Sequence, residues 1–388
     1  MRKVLAMLVK NGLRKLSLIV TIVMLSACAN GPGLPKPTKL VDITVAQEMT
    51  EHWQVQVGEG VKQHSLPLQP LRIGSKLYTA AHSGEVTALD GTTGELIWQV
   101  DLQHAISAGL GLIDNHLLVA TANGELHKLS MADGSSIWTV PTSSEVLAVP
   151  QAAADLVLAQ SIDGRLTAYS AKDGSMRWTY TSDVPSLTLR GTSTPVIGSG
   201  MTYVGFANGK LLALDNQQGD IIWQQRISAP KGRSDIERLV DIDGPLQLVE
   251  GTLYVVGYQG NLTAVEALTG KVLWQQPVSS VTAPSIYGNQ IFVVTDKGTL
   301  ISYERQSGTE LWRNDAFLHR GLSQTVVIDD SLLVADRLGY VHLLQALDGQ
   351  VIGRHKLGHS GSGVGFVRYG ADIYILGQDA SLSRLSLN

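Results

Sequence analysis

Cysteine is nearly absent: Cys28 is the single thiol in 388 residues, which excludes an intramolecular disulfide and any cysteine-built zinc site. Charge is sparse as well, at 16% of residues beside 44% hydrophobic residues and 40 glycines. That balance describes a turn-rich globular protein and excludes a disordered or coiled-coil chain. Acidic residues are missing from residues 1–27, which hold five of the 30 basic residues, so the remainder carries 25 basic against 34 acidic groups. A body with that excess of acid lacks the cationic field that attracts phosphate backbones, and nucleic acid is not an expected partner. Catalytic strings are missing too. There is no Gly-x-Ser-x-Gly elbow, phosphate loop or His-Glu-x-x-His motif, and no enzymatic activity or cofactor is expected.

What is present begins with an address. Arg2, Lys3, Lys10, Arg14 and Lys15 precede an apolar run from Leu16 to Leu25 and the small residues Ser26 and Ala27, the layout of a cleaved secretion signal over residues 1–27. The rival reading is a transmembrane helix, which needs about 20 uninterrupted apolar residues; Lys10, Asn11, Arg14 and Lys15 break the stretch. The tetrad Leu25, Ser26, Ala27, Cys28 resembles a bacterial lipobox, which implies cleavage before Cys28 and its acylation. Multiple acyl chains make a lasting anchor. Ala29 follows the cysteine, where an aspartate in this class would imply retention in the inner membrane, so the resemblance implies the outer one. Residues 30–39 contain Pro32, Pro35 and Pro37 with Gly31 and Gly33, an extended tether. The lipidated cysteine and tether are assigned to residues 28–46.

The rest of the chain, 47–388, is a repeat. Two glycines ten residues apart, with a tryptophan four beyond the second, recur as Gly84, Gly94, Trp98; Gly124, Gly134, Trp138; Gly164, Gly174, Trp178; Gly209, Gly219, Trp223; Gly260, Gly270, Trp274; and Gly298, Gly308, Trp312. A seventh unit has Gly339, Gly349 and, in the tryptophan position, Gly353. Strand-like runs lie before, between and after the glycines, as in Leu77 to Ala81, Glu85 to Asp90 and Glu95 to Val100, with a further strand at Pro67 to Ile73. Repeated four-stranded antiparallel sheets predict an all-β propeller. Phe366 to Leu387 supplies three more strands, and Glu51 to Val55, with Trp53, looks like an orphan fourth. Joined, they form an eighth blade from the two termini and remove both free edges.

Two positions after the first glycine stand Val86, Leu126, Leu166, Leu211, Leu262, Leu300, Val341 and Leu382; two further on are Ala88, Ala168, Ala213, Ala264 and Ser302. The small residues are expected to let a neighbouring blade's tryptophan lie flat between sheets. Trp53, Trp98, Trp138, Trp178, Trp223, Trp274 and Trp312 are therefore assigned to structural docking and not to a ligand.

The strings ALDGTTGELIW (88–98), ALDNQQGDIIW (213–223) and AVEALTGKVLW (264–274) resemble the tryptophan-docking repeat of pyrroloquinoline quinone dehydrogenases, which implies eight blades. Those enzymes hold the quinone beneath a vicinal disulfide with Ca²⁺, and this chain has no cysteine pair. Asp241-Ile242-Asp243-Gly244 is the nearest approach to a calcium loop but lacks the remaining ligands; its plainer reading is a polar turn between blades. His355 and His359 flank Gly358 in a predicted turn, not on a helix that would align them, and no metal is assigned. A quinone-binding protein and a propeller binding a ligand in its central funnel remain the alternatives.

Departures from the repeat are informative. Successive tryptophans from Trp98 lie 40, 40, 45, 51 and 38 residues apart, so extra chain follows Trp178 and Trp223. Both insertions fall between one blade's outer strand and the next blade's inner strand, so they form adjacent raised loops on one face. Their contents, DVPSLTLRG (183–191) and APKGRSDIERLVDIDG (229–244), mix charge with Leu187, Leu189, Ile236, Leu239 and Val240, as a partner surface does. Equally, Leu187 and Leu189, two apart, could begin the next inner strand. With the lipobox and the docking repeats, LTLRG and DIERLVDIDG resemble the BamB family, the lipoprotein propeller subunits of the outer-membrane β-barrel assembly machine. That resemblance implies a non-enzymatic scaffold on the periplasmic side of the outer membrane. It also implies that Leu187, Leu189, Arg190, Asp241 and Asp243 bind POTRA domains of the barrel subunit. Unfolded outer-membrane proteins are a further candidate partner.

Overall fold

The computed structural model describes residues 35–60, 68–189, 191–357 and 365–387. Thirty-two strands fall into eight four-stranded antiparallel sheets, without a helix among the described residues. The first blade shows the pattern. Leu71–Ile73, Lys76–Ala80, Glu85–Asp90 and Leu96–Asp101 pair in sequence order, so the predicted strands stand where the glycine turns put them. Inner strands of successive blades touch around the centre, and Gly365–Tyr369 of the last blade meets Leu71–Ile73 of the first. The molecule is an eight-bladed β-propeller. Its eighth blade is Gly365–Tyr369, Asp372–Leu376 and Ser381–Leu387 closed by Met49–Gln56 from the other end of the chain.

The eight apolar positions two beyond the first glycine are fully buried in every blade, from Val86 to Leu382. They form the core between sheets. The tryptophans form a second, outer layer of contacts. Each indole lies on the second glycine of the following blade: a Cβ on Gly94, Gly134, Gly174, Gly219, Gly270, Gly308 or Gly349 would come within 2.5–3.1 Å of a ring atom of Trp53, Trp98, Trp138, Trp178, Trp223, Trp274 or Trp312 respectively. These glycines have φ of +72° to +77°, so the position needs glycine twice over, for its backbone and for its missing side chain. Each indole N–H also donates to a carbonyl of the turn it covers, for example Trp178 to Asn216 at 2.9 Å and Trp312 to Ala346 at 3.0 Å. The burial thus leaves no orphaned donor.

The small residues have a different role from the one expected. Ala88 pairs with Tyr78 on one side and with Trp98 of its own blade on the other. The two rings meet over it, 6.0 Å apart. Ala213, Ala264 and Ser302 sit likewise between Tyr203 and Trp223, Tyr254 and Trp274, and Phe292 and Trp312. Two blades have a long cation there instead, and it reaches the carbonyl that the indole uses: Lys128 Nζ donates to Ala171 O at 2.8 Å, and Arg384 Nη1 to Thr92 O at 2.9 Å.

Gly353 now has a physical reason. A docking tryptophan needs the hairpin between the third and fourth strands of the next blade, and the eighth blade has none, because those two strands are the two ends of the chain. In its place the N-terminal segment lies on the seventh blade. Ala46 N and Gln47 N donate to Ile352 O at 2.8 and 3.2 Å, and a Cβ on Gly353 would lie 2.6 Å from Gln47 O. Its cross-strand partner is Leu343 where other blades have a small residue. The compact unit accordingly begins at Thr38, ahead of the expected start at residue 47.

Restoring the repeat's consensus with Gly353→Trp should therefore lower the melting temperature, since the site is already filled by backbone. Trp98→Ala should cost about 3–5 kcal/mol in denaturant unfolding, as for other buried aromatics cut to alanine. A stabilised Gly353→Trp variant would show that the seventh blade has an empty dock.

Candidate functional site

In a propeller of this connectivity the hairpin between second and third strands and the crossover to the next blade share one face. Here they are tied directly, as in Leu102 N to Gly84 O and Ser182 N to Gly164 O. The two long crossovers on that face run over 182–195, from Met176–Thr181 to Val196–Ile197, and over 227–246, from Ile221–Arg226 to Gln247–Val249. Leu187 and Leu189 lie well before Val196, so they do not begin the inner strand. They are 39% and 37% exposed.

The second loop is ordered by its own sequence. Glu237 accepts N–H groups from Arg233 and Ser234 at 2.7 and 3.1 Å, while Ser234 Oγ accepts the Glu237 N–H at 3.2 Å. This reciprocal capping folds one tight turn, and the backbone donors hold the Glu237 carboxyl below its usual range. The turn carries Ile236, 71% exposed, at its tip, and Gln259 Nε2 binds Ile236 O from the adjacent hairpin at 3.1 Å. Ser234-x-x-Glu237 is the signature of this turn in the sequence.

Below the tip the loop turns inward. Leu239, Val240 and Ile242, of which the first two were expected on the surface, are buried, and Ile242 packs with Tyr203, Leu211 and Leu253. Asp241 is fully buried between them, its carbonyl accepting Tyr258 N–H at 2.8 Å. Its carboxylate reaches across to the other loop and accepts the Leu189 N–H at 3.1 Å. Asp243 presses on Gly191, where a Cβ would lie 2.3 Å from its carboxyl carbon, and Ser193 Oγ donates to Gly244 O at 3.2 Å. The two loops are thus sewn together along 189–193 and 241–244. Burial raises the carboxyls of Asp241 and Asp243 above the usual range, and at Asp243 the neighbouring Asp241 charge adds to it. Asp241 serves as a clasp holding Leu189, and the apolar surface is made by Val184, Leu187, Leu189 and Ile236. Arg190, Cys28 and His359 lie outside the described residues.

Comparison with known proteins decides the family. The family model for outer membrane protein assembly factor BamB matches residues 82–314 and 250–369. A protein of that name from Pseudomonas aeruginosa is 45% identical over 365 residues, 94% of this chain and 96% of the relative. The chain belongs to the BamB family. An Escherichia coli BamB is 33% identical, covering 90% of this chain and 93% of its own length. The crystal structure of BamB from Moraxella catarrhalis superposes with a TM-score of 0.79 at 25% identity, over 87% of this chain and 99% of that one.

A quinohemoprotein alcohol dehydrogenase from Comamonas testosteroni, at 13% identity and a TM-score of 0.69, shares the fold alone. The features that suggested a quinone site have structural duties in this BamB-family chain. The tryptophans are docked, and the Asp241-Ile242-Asp243-Gly244 segment clasps two loops. His355 Nε2 faces Glu51 at 3.7 Å. Among the described residues no group of three or more His, Cys, Asp or Glu is arranged to hold a metal ion.

The clasp makes a prediction distinct from a direct contact. Gly191→Val must displace the Asp243 carboxyl and so the 187–189 stretch, without touching the blade core. It should expose the Leu189 amide to hydrogen exchange while the amides of Leu211 and Leu253 stay protected; unchanged exchange at Leu189 would show that the loops are independent.

Proposed function

We propose that this chain is a non-enzymatic scaffold lipoprotein of the outer-membrane protein assembly machine. Acylation at Cys28 anchors it to the periplasmic side of the outer membrane, and the paired loops bind the POTRA domains of the barrel subunit. The observation that supports this reading best is the pair of insertions itself. In this BamB-family propeller two adjacent crossovers, 182–195 and 227–246, are long, clasped together through Asp241, and topped with exposed aliphatic side chains beside charged ones. Interfaces of this kind draw affinity from a few central anchors, each worth about 2 kcal/mol or more on truncation, with arginine among the commonest. Arg190 adjoins Leu189 in sequence and is assigned that role. Asp241 and Asp243 act through the placement of Leu189 and Gly191.

Binding of purified POTRA domains to the mature chain tests this. Leu187→Ala with Leu189→Ala, or Arg190→Ala, should weaken binding at least about tenfold, or about 1.4 kcal/mol. Glu95→Ala, in the first blade and away from both loops, should change nothing. Equal affinity of all variants would place the partner elsewhere. Cys28→Ser should abolish palmitate labelling and recovery in the outer-membrane fraction. Stoichiometric quinone with Ca²⁺ should leave the melting temperature unmoved, whereas a rise of several degrees would be ligand stabilisation and would favour a quinoprotein.

A further inference from the structure

The N-terminal segment does more than cover Gly353. Thr38 is held at the crossover 315–325 between the sixth and seventh blades: its N–H donates to Leu318 O at 2.9 Å, and its carbonyl accepts from Arg320 Nη1 at 2.8 Å. Arg320 is 4% exposed and is fixed by Asp336, itself fully buried, with Nε to Oδ2 at 2.6 Å. His342 Nε2 lies 3.1 Å from the same Asp336 oxygen. Farther along, Val41 O accepts from Arg354 Nη1 at 2.9 Å, and Leu40 packs against the buried cluster that contains Phe317. Residues 38–47 are thus a strap, clamped through its backbone and running down the outer side of the seventh blade into Met49–Gln56. Its upper end, Thr38, sits among the crossovers, on the face that carries the two long loops.

Cations cluster around Thr38. His319 N donates to Lys297 O at 2.7 Å, Arg337 N donates to Arg320 O and Gly321 O at 3.1 Å, and Lys356 Nζ donates to Leu338 O. Lys39, Lys297, Arg337 and Lys356 are exposed, with Leu338 at 43%. Asp42, on the strap, and Asp296 and Asp315 are the exposed acids beside them; Asp336 is consumed by Arg320 and His342. On a chain whose mature part has a net charge of −9, a basic rim placed where the tether begins is not expected from composition. Residues 28–37 span at most about 35 Å when extended, and a Debye length of about 8–10 Å means the rim is attracted only when it lies close to a charged surface.

We propose that this rim, Lys39, Lys297, Arg337, Leu338 and Lys356, rests on anionic phospholipid headgroups of the membrane to which the chain is tethered, and that the strap thereby turns the loop face toward the bilayer. The inference rests on the tether being membrane-anchored at Cys28, and the test supplies that anchor independently of acylation. Unlipidated mature chain, coupled through its single cysteine to maleimide lipid, would be placed on phosphatidylcholine vesicles with or without phosphatidylglycerol at about 3:7, and its lysines labelled with an amine-reactive reagent. Lys39, Lys297 and Lys356 should react roughly threefold or more slowly on the anionic vesicles than on the neutral ones. Lys172 and Lys271, exposed in hairpins of the opposite face, should react alike on both. Lys297→Glu with Arg337→Glu, outside the strap clamp, should abolish the slowing at Lys356. Equal labelling on both vesicles, or slowing at Lys172 and Lys271, would overturn the proposal. Loss of palmitate incorporation in cells would bear on the natural anchor alone.

Discussion

The whole ring depends on one contact repeated seven times: an indole laid on a glycine of the next blade, with its N–H given to a carbonyl of the same turn. The contact needs a glycine that tolerates positive φ and carries no Cβ, and a small or snaking residue between the indole and the second-strand side chain of its own blade, an aromatic in five blades and Leu118 or Leu158 in the other two. These requirements fall on three different strands and one turn, which is why they recur together. The contact is also directional. Each blade leans on the one that follows, so the ring is held only if the last blade leans on the first, as Trp53 does on Gly94.

Closing the ring with strands from both termini removes one hairpin, and with it one dock. The consequences are local and consistent. Glycine replaces tryptophan at 353, leucine replaces a small residue at 343, and the strap supplies the missing cover. Burying Arg320, Asp336 and His342 together to hold that strap would be costly if any charge were unpaired. Burial works to raise the Asp336 carboxyl, but hydrogen bonds from His342, the Tyr340 amide and Arg320 outweigh it and hold it below its usual range. Burial also lowers His342.

Most of this architecture was legible because its cause is local. Glycines ten apart with a tryptophan at +4 encode two turns and a docking residue within fifteen residues, and the orphan Trp53 strand betrays the closure. What escaped was settled at long range through backbone atoms, which carry no sequence signature. The strap at 38–47 reads as tether, because it is recognised through carbonyls by Arg320 and Arg354, some 280 and 310 residues away in sequence. Asp241 reads as a surface charge in a polar loop, because its partner is an amide 52 residues earlier. The small residues were correctly tied to the tryptophans but to the wrong blade, since period-two spacing fixes the face of a strand and not which neighbour covers it.

The division of labour between faces follows from the same contact. Docking glycines and acceptor carbonyls all belong to the hairpins between third and fourth strands, which lie on the face opposite the crossovers. Lengthening one of those hairpins would move its glycine from beneath an indole and open the ring. The crossovers bear no such constraint: 182–195 and 227–246 are long while 278–284 is short, and the docks on either side keep the same geometry. Insertions can therefore accumulate in the crossovers, and once two adjacent ones are clasped through Asp241 and Asp243 they gain rigidity without altering the blades beneath.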